Sequence, residues 1–154
     1  MLCDRRISAR VKGKVYKTVV RPAMLYGSET WAVKRAQEKK MDAVEMRMLR
    51  WMCGVTKMDR LTNDRIRGTT KVGELSKKVQ ERRLKWFGHV TRREENYIGK
   101  RVMRMEVQGR RKRGRPKRRW MDCVRDDMKG KCLTEMDAQC RTGWRNMVRY
   151  IDPT

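Results

Sequence analysis

Apolar residues return every third or fourth position through most of the chain, a period that predicts helices. Ile7, Val11, Val15 and Val19 form an i, i+4 series, widened by Tyr16 and Val20, and predict a first helix that buries this stripe. Pro22 disfavours the α conformation at Arg21 and is expected to end or kink that helix. Met24-Leu25-Tyr26 is then a short apolar run closed by Gly27. A second helix is predicted from about Lys34 to Cys53, because Met41, Val44, Met48 and Met52 recur at helical spacing beside Trp51, with Gly54 at the place of a C-terminal cap.

Thr62-Asn63-Asp64 carries the residues of a helix start, and Gly68-Thr69-Thr70 those of its end. Leu75, Val79, Trp86 and Val90, with Phe87 alongside, predict an amphipathic helix from about Gly73 to Thr91 whose outer face holds Lys77, Lys78, Arg82, Arg83 and Lys85. The alternation from Arg101 to Val107 fits a short helix or a strand, and its helical neighbours favour the helix. Trp120, Val124 and Met128 step by four up to Gly130. A last helix is predicted to open at Thr134-Glu135-Met136-Asp137, a capping-box outline with Asp in the Glu/Gln place, to continue through Ala138, Trp144 and Val148, and to stop at Asp152-Pro153-Thr154. Strand-like alternation is nearly absent, so the predicted class is all-α: a small irregular assembly of about five helices with a basic extended arm.

Charge changes the picture most. The chain has 154 residues with 42 Lys and Arg against 18 Asp and Glu, a formal charge of +24. Such a surplus repels itself unless a counterion-bearing partner is present, so nucleic acid is the expected partner. The basic residues are not gathered on one amphipathic helix, no apolar run approaches the roughly 20 residues that span a bilayer, and the amino terminus lacks an apolar signal core. Neither a membrane nor a small-molecule substrate is expected as partner. An intracellular location is expected; composition does not choose between nucleus and cytoplasm, and the run from Arg110 to Arg119, which could serve as an import signal, favours the nucleus. Five scattered cysteines fit reduced thiols.

The arm is Gly109 to Trp120, where eight of twelve residues are basic and no acid interrupts them. Its candidate nucleic-acid contacts are Arg110, Arg111, Lys112, Arg113, Gly114, Arg115, Pro116, Lys117, Arg118, Arg119 and Trp120. Arg113-Gly114-Arg115-Pro116 resembles the core of an AT-hook: glycine permits close backbone approach, proline holds an extended course, and two arginines can enter an A·T minor groove. A solvated phosphate binder is the plainer reading of the same residues.

Catalytic chemistry finds little support. Asp126 and Asp127 are adjacent carboxylates, but on a helix neighbours point about 100° apart, unlike a pair holding two metal ions about 4 Å apart. They are expected to face solvent or to neutralise Arg125 and Arg118. Cys123, Cys132 and Cys140 lack zinc-site spacing and a following histidine, so buried or half-buried thiols are expected, with no metal and no cofactor. His89 has no acid or nucleophile partner in sight and is expected to be a packed or hydrogen-bonding residue. The methionines are expected to fill the core. Of Trp31, Trp51, Trp86, Trp120 and Trp144, all but Trp120 are expected in or beside the core, whereas Trp120 could stack on a base.

Tyr26-Gly27-Ser28-Glu29-Thr30-Trp31, Trp86-Phe87-Gly88-His89-Val90, Gly114-Arg115-Pro116-Lys117-Arg118-Arg119-Trp120, and Trp144-Arg145 with the terminal Asp-Pro-Thr occur in an order that resembles the carboxy-terminal region of RTE/BovB-like non-LTR retrotransposon reverse transcriptases. In that family an endonuclease nicks target DNA and a palm with a Tyr/Phe-x-Asp-Asp motif copies element RNA. The resemblance implies the end of the thumb at residues 1–31, a post-thumb helical region at 32–108, the arm at 109–120 and C-terminal helices at 121–154. It also implies a truncated copy, or a reading frame begun at an internal methionine, with no positions for the family's catalytic residues. The expected function is a catalytically inert, nucleic-acid-binding fragment; the alternatives are a stand-alone AT-hook-like chromatin protein and an active polymerase.

Overall fold

The computed structural model describes residues 2, 4, 6–105, 113–114 and 118–153. Among them all regular structure is helical and no strand occurs, so the all-α class holds. There are eight α segments rather than about five, because the short pieces count separately. The chain divides into two compact units: Met1–Gly27, Arg35–Val79 and Tyr150–Thr154 in one, Ser28–Lys34 and Gln80–Arg149 in the other.

In the first unit, α1 (Ala9–Val15), a π turn (Tyr16–Val20) and α2 (Arg21–Met24) follow without interruption. Pro22 has no N–H to give and sits in the first turn of α2, while the Arg21 N–H reaches back to the Tyr16 carbonyl. Contrary to expectation, Arg21 keeps the α conformation at φ −60° and ψ −44°, and the helix runs past Pro22 to Met24 behind a wider π turn. The buried face also differs from the predicted stripe. Tyr16 is buried as expected, but Val11 and Val19 are exposed, whereas Lys12 and Gly13 are buried. The reason is backbone contact: a Cβ on Gly13 would lie 1.9 Å from the Thr70 carbonyl oxygen, so α1 meets α4 (Asn63–Thr70) where it has no side chain. Lys12 donates from Nζ to the Met52 carbonyl at 2.8 Å and caps α3 (Arg35–Met52).

On α3 the buried residues are Glu45, Met46, Leu49 and Met52, while Val44 and Trp51 face out, which corrects the predicted stripe. The polar Glu45 is what an apolar count discards. Its carboxylate accepts from Tyr16 Oη at 2.9 Å, Arg67 Nη1 at 2.8 Å and the Leu75 N–H at 3.1 Å, with Arg21 Nη2 at 3.5 Å. Arg21 also pairs with Asp152 at 2.9 Å, and Arg21 and Arg67 both donate to the Gly73 carbonyl at 2.8 Å. Removing one partner from such a buried network typically costs about 3–5 kcal/mol, because a charge is left unpaired. Burial, then the Glu45 carboxylate, pushes the Tyr16 phenol well above its ordinary range. Around this network pack Tyr16, Met46, Leu49, Met52, Ile66 and Val72. Thr62 caps α4 as its sequence suggested, accepting from the Arg65 N–H, and Lys71 ends the helix at φ 56°.

The helix α5 (Leu75–Thr91) begins in the first unit and continues in the second. There it is joined by α6 (Ile98–Arg104), α7 (Trp120–Lys129), a 3-10 turn (Asp137–Gln139) and α8 (Arg141–Val148). The core is Leu84, Phe87, Val124, Met128, Ala138, Trp144 and Val148. Arg83, expected on the basic outer face, is fully buried and pairs with Asp127 at 2.8 Å. The predicted last helix is divided. The backbone N–H and hydroxyl of Thr134 both donate to Asp137 Oδ2, at 2.7 and 2.8 Å, closing a local turn, and Cys140 is extended at ψ 104° before α8 begins. At the far end Arg149 is extended at ψ 135°, so α8 stops ahead of Asp152 and Pro153.

Candidate nucleic-acid interface

The arm is held at its carboxyl end. Arg110, Arg111, Lys112, Arg115, Pro116 and Lys117 lie outside the described residues. Arg113 and Gly114 are exposed, and Gly114 has φ 126°, a conformation that favours glycine. Arg118 is engaged: Nη2 contacts Asp126 Oδ2 at 2.6 Å and Nε donates to Cys123 Sγ at 3.1 Å. Arg119 gives its backbone N–H to Asp122 Oδ2 at 2.8 Å, which closes the first turn of α7, while its side chain is exposed. Trp120 opens α7 half-buried against the core, its indole N–H donating to the Glu29 carbonyl at 2.8 Å. Those of the arm's predicted contacts that are described therefore separate into exposed Arg113, Gly114 and Arg119 and the anchored pair Arg118 and Trp120.

Those contacts bring together stretches that are far apart in sequence. Glu29, from Tyr26 to Trp31, receives Trp120; the Val33 carbonyl accepts from Cys123 Sγ at 3.6 Å. Within Trp86 to Val90, Phe87 and Val90 are buried, and Gly88 lies under Trp144. His89 stacks on Trp86 at 5.5 Å between ring centroids. Burial, and then Arg93, Arg92 and Arg141, push His89 below its ordinary value, so it adds no charge near neutral pH.

Beside the anchor is a cleft of about 940 Å³, lined by Met105, the last described residue before the arm, and by Arg119 within it. It is lined by Trp86, Val90 and the exposed Ile98 and Val102, by the cations Lys100, Arg104, Arg119 and Arg125, and by the carboxylates of Asp122 and Glu135. Lys100 and Arg104 both reach Glu95, and these hydrogen bonds hold its carboxyl below the usual range. A lining that mixes cations with apolar and aromatic side chains suits phosphates and bases together. Sequence periodicity missed Lys100, Arg104 and Arg125, although the i, i+4 repeat of Lys100 and Arg104 places both on one face of a helix.

Asp126 and Asp127 go separate ways, Asp126 to Arg118 as the sequence suggested and Asp127 to Arg83. Among the described residues no three His, Cys, Asp or Glu side chains converge as a metal site. Cys123 is buried and Cys53 half-buried, but Cys132 and Cys140 are exposed, contrary to the buried-thiol expectation. Both sit where a local turn, rather than a core stripe, places them: Cys132 at φ 54° and Cys140 at the start of α8. Hydrogen bonds from the Gly143 N–H and the Thr142 hydroxyl lower the Cys140 thiol. Of the five tryptophans only Trp144 is fully buried; Trp31 and Trp51 are exposed, so the core expectation fails for those two. Among the described residues no helix is long and apolar enough to cross a membrane.

The chain matches no protein-family profile, and no solved structure matches it. It is similar to a chain named as an uncharacterized transposon-derived protein of Caenorhabditis elegans, at 24% identity over 151 residues that cover 95% of this chain and 53% of the relative. The chain thus spans about half the length of the curated relative it matches.

Proposed function

We propose that this chain is a catalytically inert, nucleic-acid-binding portion of an RTE/BovB-like non-LTR retrotransposon reverse transcriptase, corresponding to the end of the thumb and the region after it. The observation that carries this reading is the charge of +24 with its densest run in an arm anchored through Trp120 and Arg118. Similarity to a transposon-derived protein over 95% of the chain supports the element origin. In this role the exposed cations grip the backbone of template RNA, target DNA or both, and release condensed counterions as they do so. The site of action is the nucleus, and no cofactor takes part.

The test is a salt titration with labelled RNA, DNA and RNA–DNA hybrid. If about six phosphates are contacted, affinity falls roughly a thousandfold between 50 and 200 mM salt. A flat response ends the proposal. Incorporation of nucleotide into a primed template above a no-protein control would remove the word inert from it.

A second reading, a stand-alone AT-hook-like DNA binder, draws on the exposed Arg113-Gly114 step and the positive φ of Gly114. It predicts tighter binding to A·T than to G·C duplex. Equal binding leaves only generic phosphate contact.

A further inference from the structure

A groove of about 1080 Å³ lies in the first unit, bounded by α3, the segment after it and the start of α4. On its α3 side stand Lys39, Ala43, Arg47 and Trp51, spaced by four, and all four are exposed. The i, i+4 spacing lines them along one face with about 6 Å between successive positions. Trp51 is the most conspicuous, at 69% exposed and outside the core cluster. A tryptophan so placed leaves a large apolar ring in water, which a fold does not need for its own packing.

The charges around it choose among occupants. Arg67 is engaged by Glu45 and Arg50 by the Leu61 carbonyl, while Asp42 accepts from the Ser76 N–H. The charged side chains that remain exposed in the groove are Lys39, Arg47 and Lys57 together with Asp64 and Glu74. Lys39, Arg47 and Lys57 have no ion-pair partner among the described residues. A flat aromatic platform beside such cations, on a chain of charge +24, complements a base with its phosphate rather than a purely apolar peptide. A base can reach the indole face only when it is unpaired, since a duplex hides both faces of every base in its stack.

We propose that Trp51 is a base-stacking platform for single-stranded nucleic acid, with Arg47 holding the phosphate one turn back along α3. The arm and this groove then do different work. The arm reads phosphate in any nucleic acid, and the groove supplies a preference for unpaired strand. This inference rests on the nucleic-acid-binding reading above.

The experiment measures binding of labelled oligo(dT) and of a blunt duplex with the same number of phosphates, to wild-type protein and to Trp51→Ala, Trp51→Phe and Arg47→Ala, each checked as folded by far-ultraviolet circular dichroism. Trp51→Ala is expected to weaken oligo(dT) binding about tenfold or more while leaving duplex binding and the salt slope unchanged. Trp51→Phe is expected to keep most of the affinity, because the phenyl ring still stacks. Arg47→Ala is expected to lower the salt slope by about one contact. Salt-dependent binding that is the same in Trp51→Ala and wild type overturns the stacking proposal and leaves the nucleic-acid-binding reading intact. Loss of self-association in Trp51→Ala with unchanged oligo(dT) affinity also overturns it, by assigning the ring to a protein contact. Failure of the wild-type protein to bind any of these probes overturns both.

Discussion

Gly88 and Trp144 share one volume: a Cβ on Gly88 would lie 2.4 Å from the Trp144 indole nitrogen. The indole is fixed there, since its N–H donates to the Leu84 carbonyl at 2.9 Å and its ring packs at 50° to Phe87. Gly88→Ala must therefore displace a buried ring from its hydrogen bond. Such overpacking costs about 1–3 kcal/mol. Urea unfolding is expected to show a lower midpoint with little change in slope; a midpoint equal to wild type would mean that the ring has room to move.

Two glycines on neighbouring helices should respond in opposite directions. At Gly13 a Cβ meets the Thr70 carbonyl oxygen at 1.9 Å, and backbone cannot yield as a side chain can, so Gly13→Ala pushes α1 off α4 and destabilises the first unit. At Gly68 nothing lies within 4 Å, and the residue is inside α4. Gly68→Ala gains helix propensity and is expected to stabilise by about 0.5–1 kcal/mol. Thermal unfolding of both variants, side by side, checks the pair.

How much of this could be read from sequence depended on whether apolar side chains made the contact. The stripe of Trp120, Val124 and Met128 was legible because two of its members enter a core directly. So was Leu75 to Val90, where Leu75, Val79, Phe87 and Val90 are all buried. The first two helices were placed correctly but rotated, because their buried faces are organised by Gly13, Lys12 and Glu45, which a hydrophobic count scores as surface. Arg83 was misplaced for the same reason, its partner Asp127 lying 44 positions away. In the candidate interface the basic run stands out from charge alone, and most of it lies outside the described residues. Its anchor does not, since the Trp120 to Glu29 hydrogen bond joins positions 91 apart and involves a carbonyl that every residue possesses.

Asp152 ties the end of the chain into the first unit and should make that unit acid-sensitive. Burial by itself would raise its pKa, but the Arg21 hydrogen bonds, the Gly73 N–H and the nearby Arg21 and Lys78 charges together hold it below the ordinary carboxylate range. A carboxyl whose folded value is depressed stabilises the fold above its unfolded value of about 3.9, and that contribution fades as pH falls through the folded value. Asp152→Asn removes the ionisation. The expected result is lower stability at neutral pH and a flatter decline below about pH 4 than in wild type. Parallel acid limbs for the two proteins would place the titrating group elsewhere.

The arm's anchor and its contacts should separate under two single substitutions at adjacent positions. The Arg118 side chain is occupied by Asp126 and Cys123, a partly exposed pair of the kind that contributes about 0–1 kcal/mol to stability. The Arg119 side chain is exposed, and only its backbone holds α7 in place. Arg118→Ala is therefore expected to lower the unfolding midpoint slightly and to leave the salt slope of nucleic-acid binding as it was. Arg119→Ala is expected to do the reverse, lowering the slope by about 0.9 on duplex DNA, the value for one phosphate contact, with no change in stability. The same loss of slope in both variants would show that Arg118 leaves Asp126 to meet phosphate when nucleic acid binds.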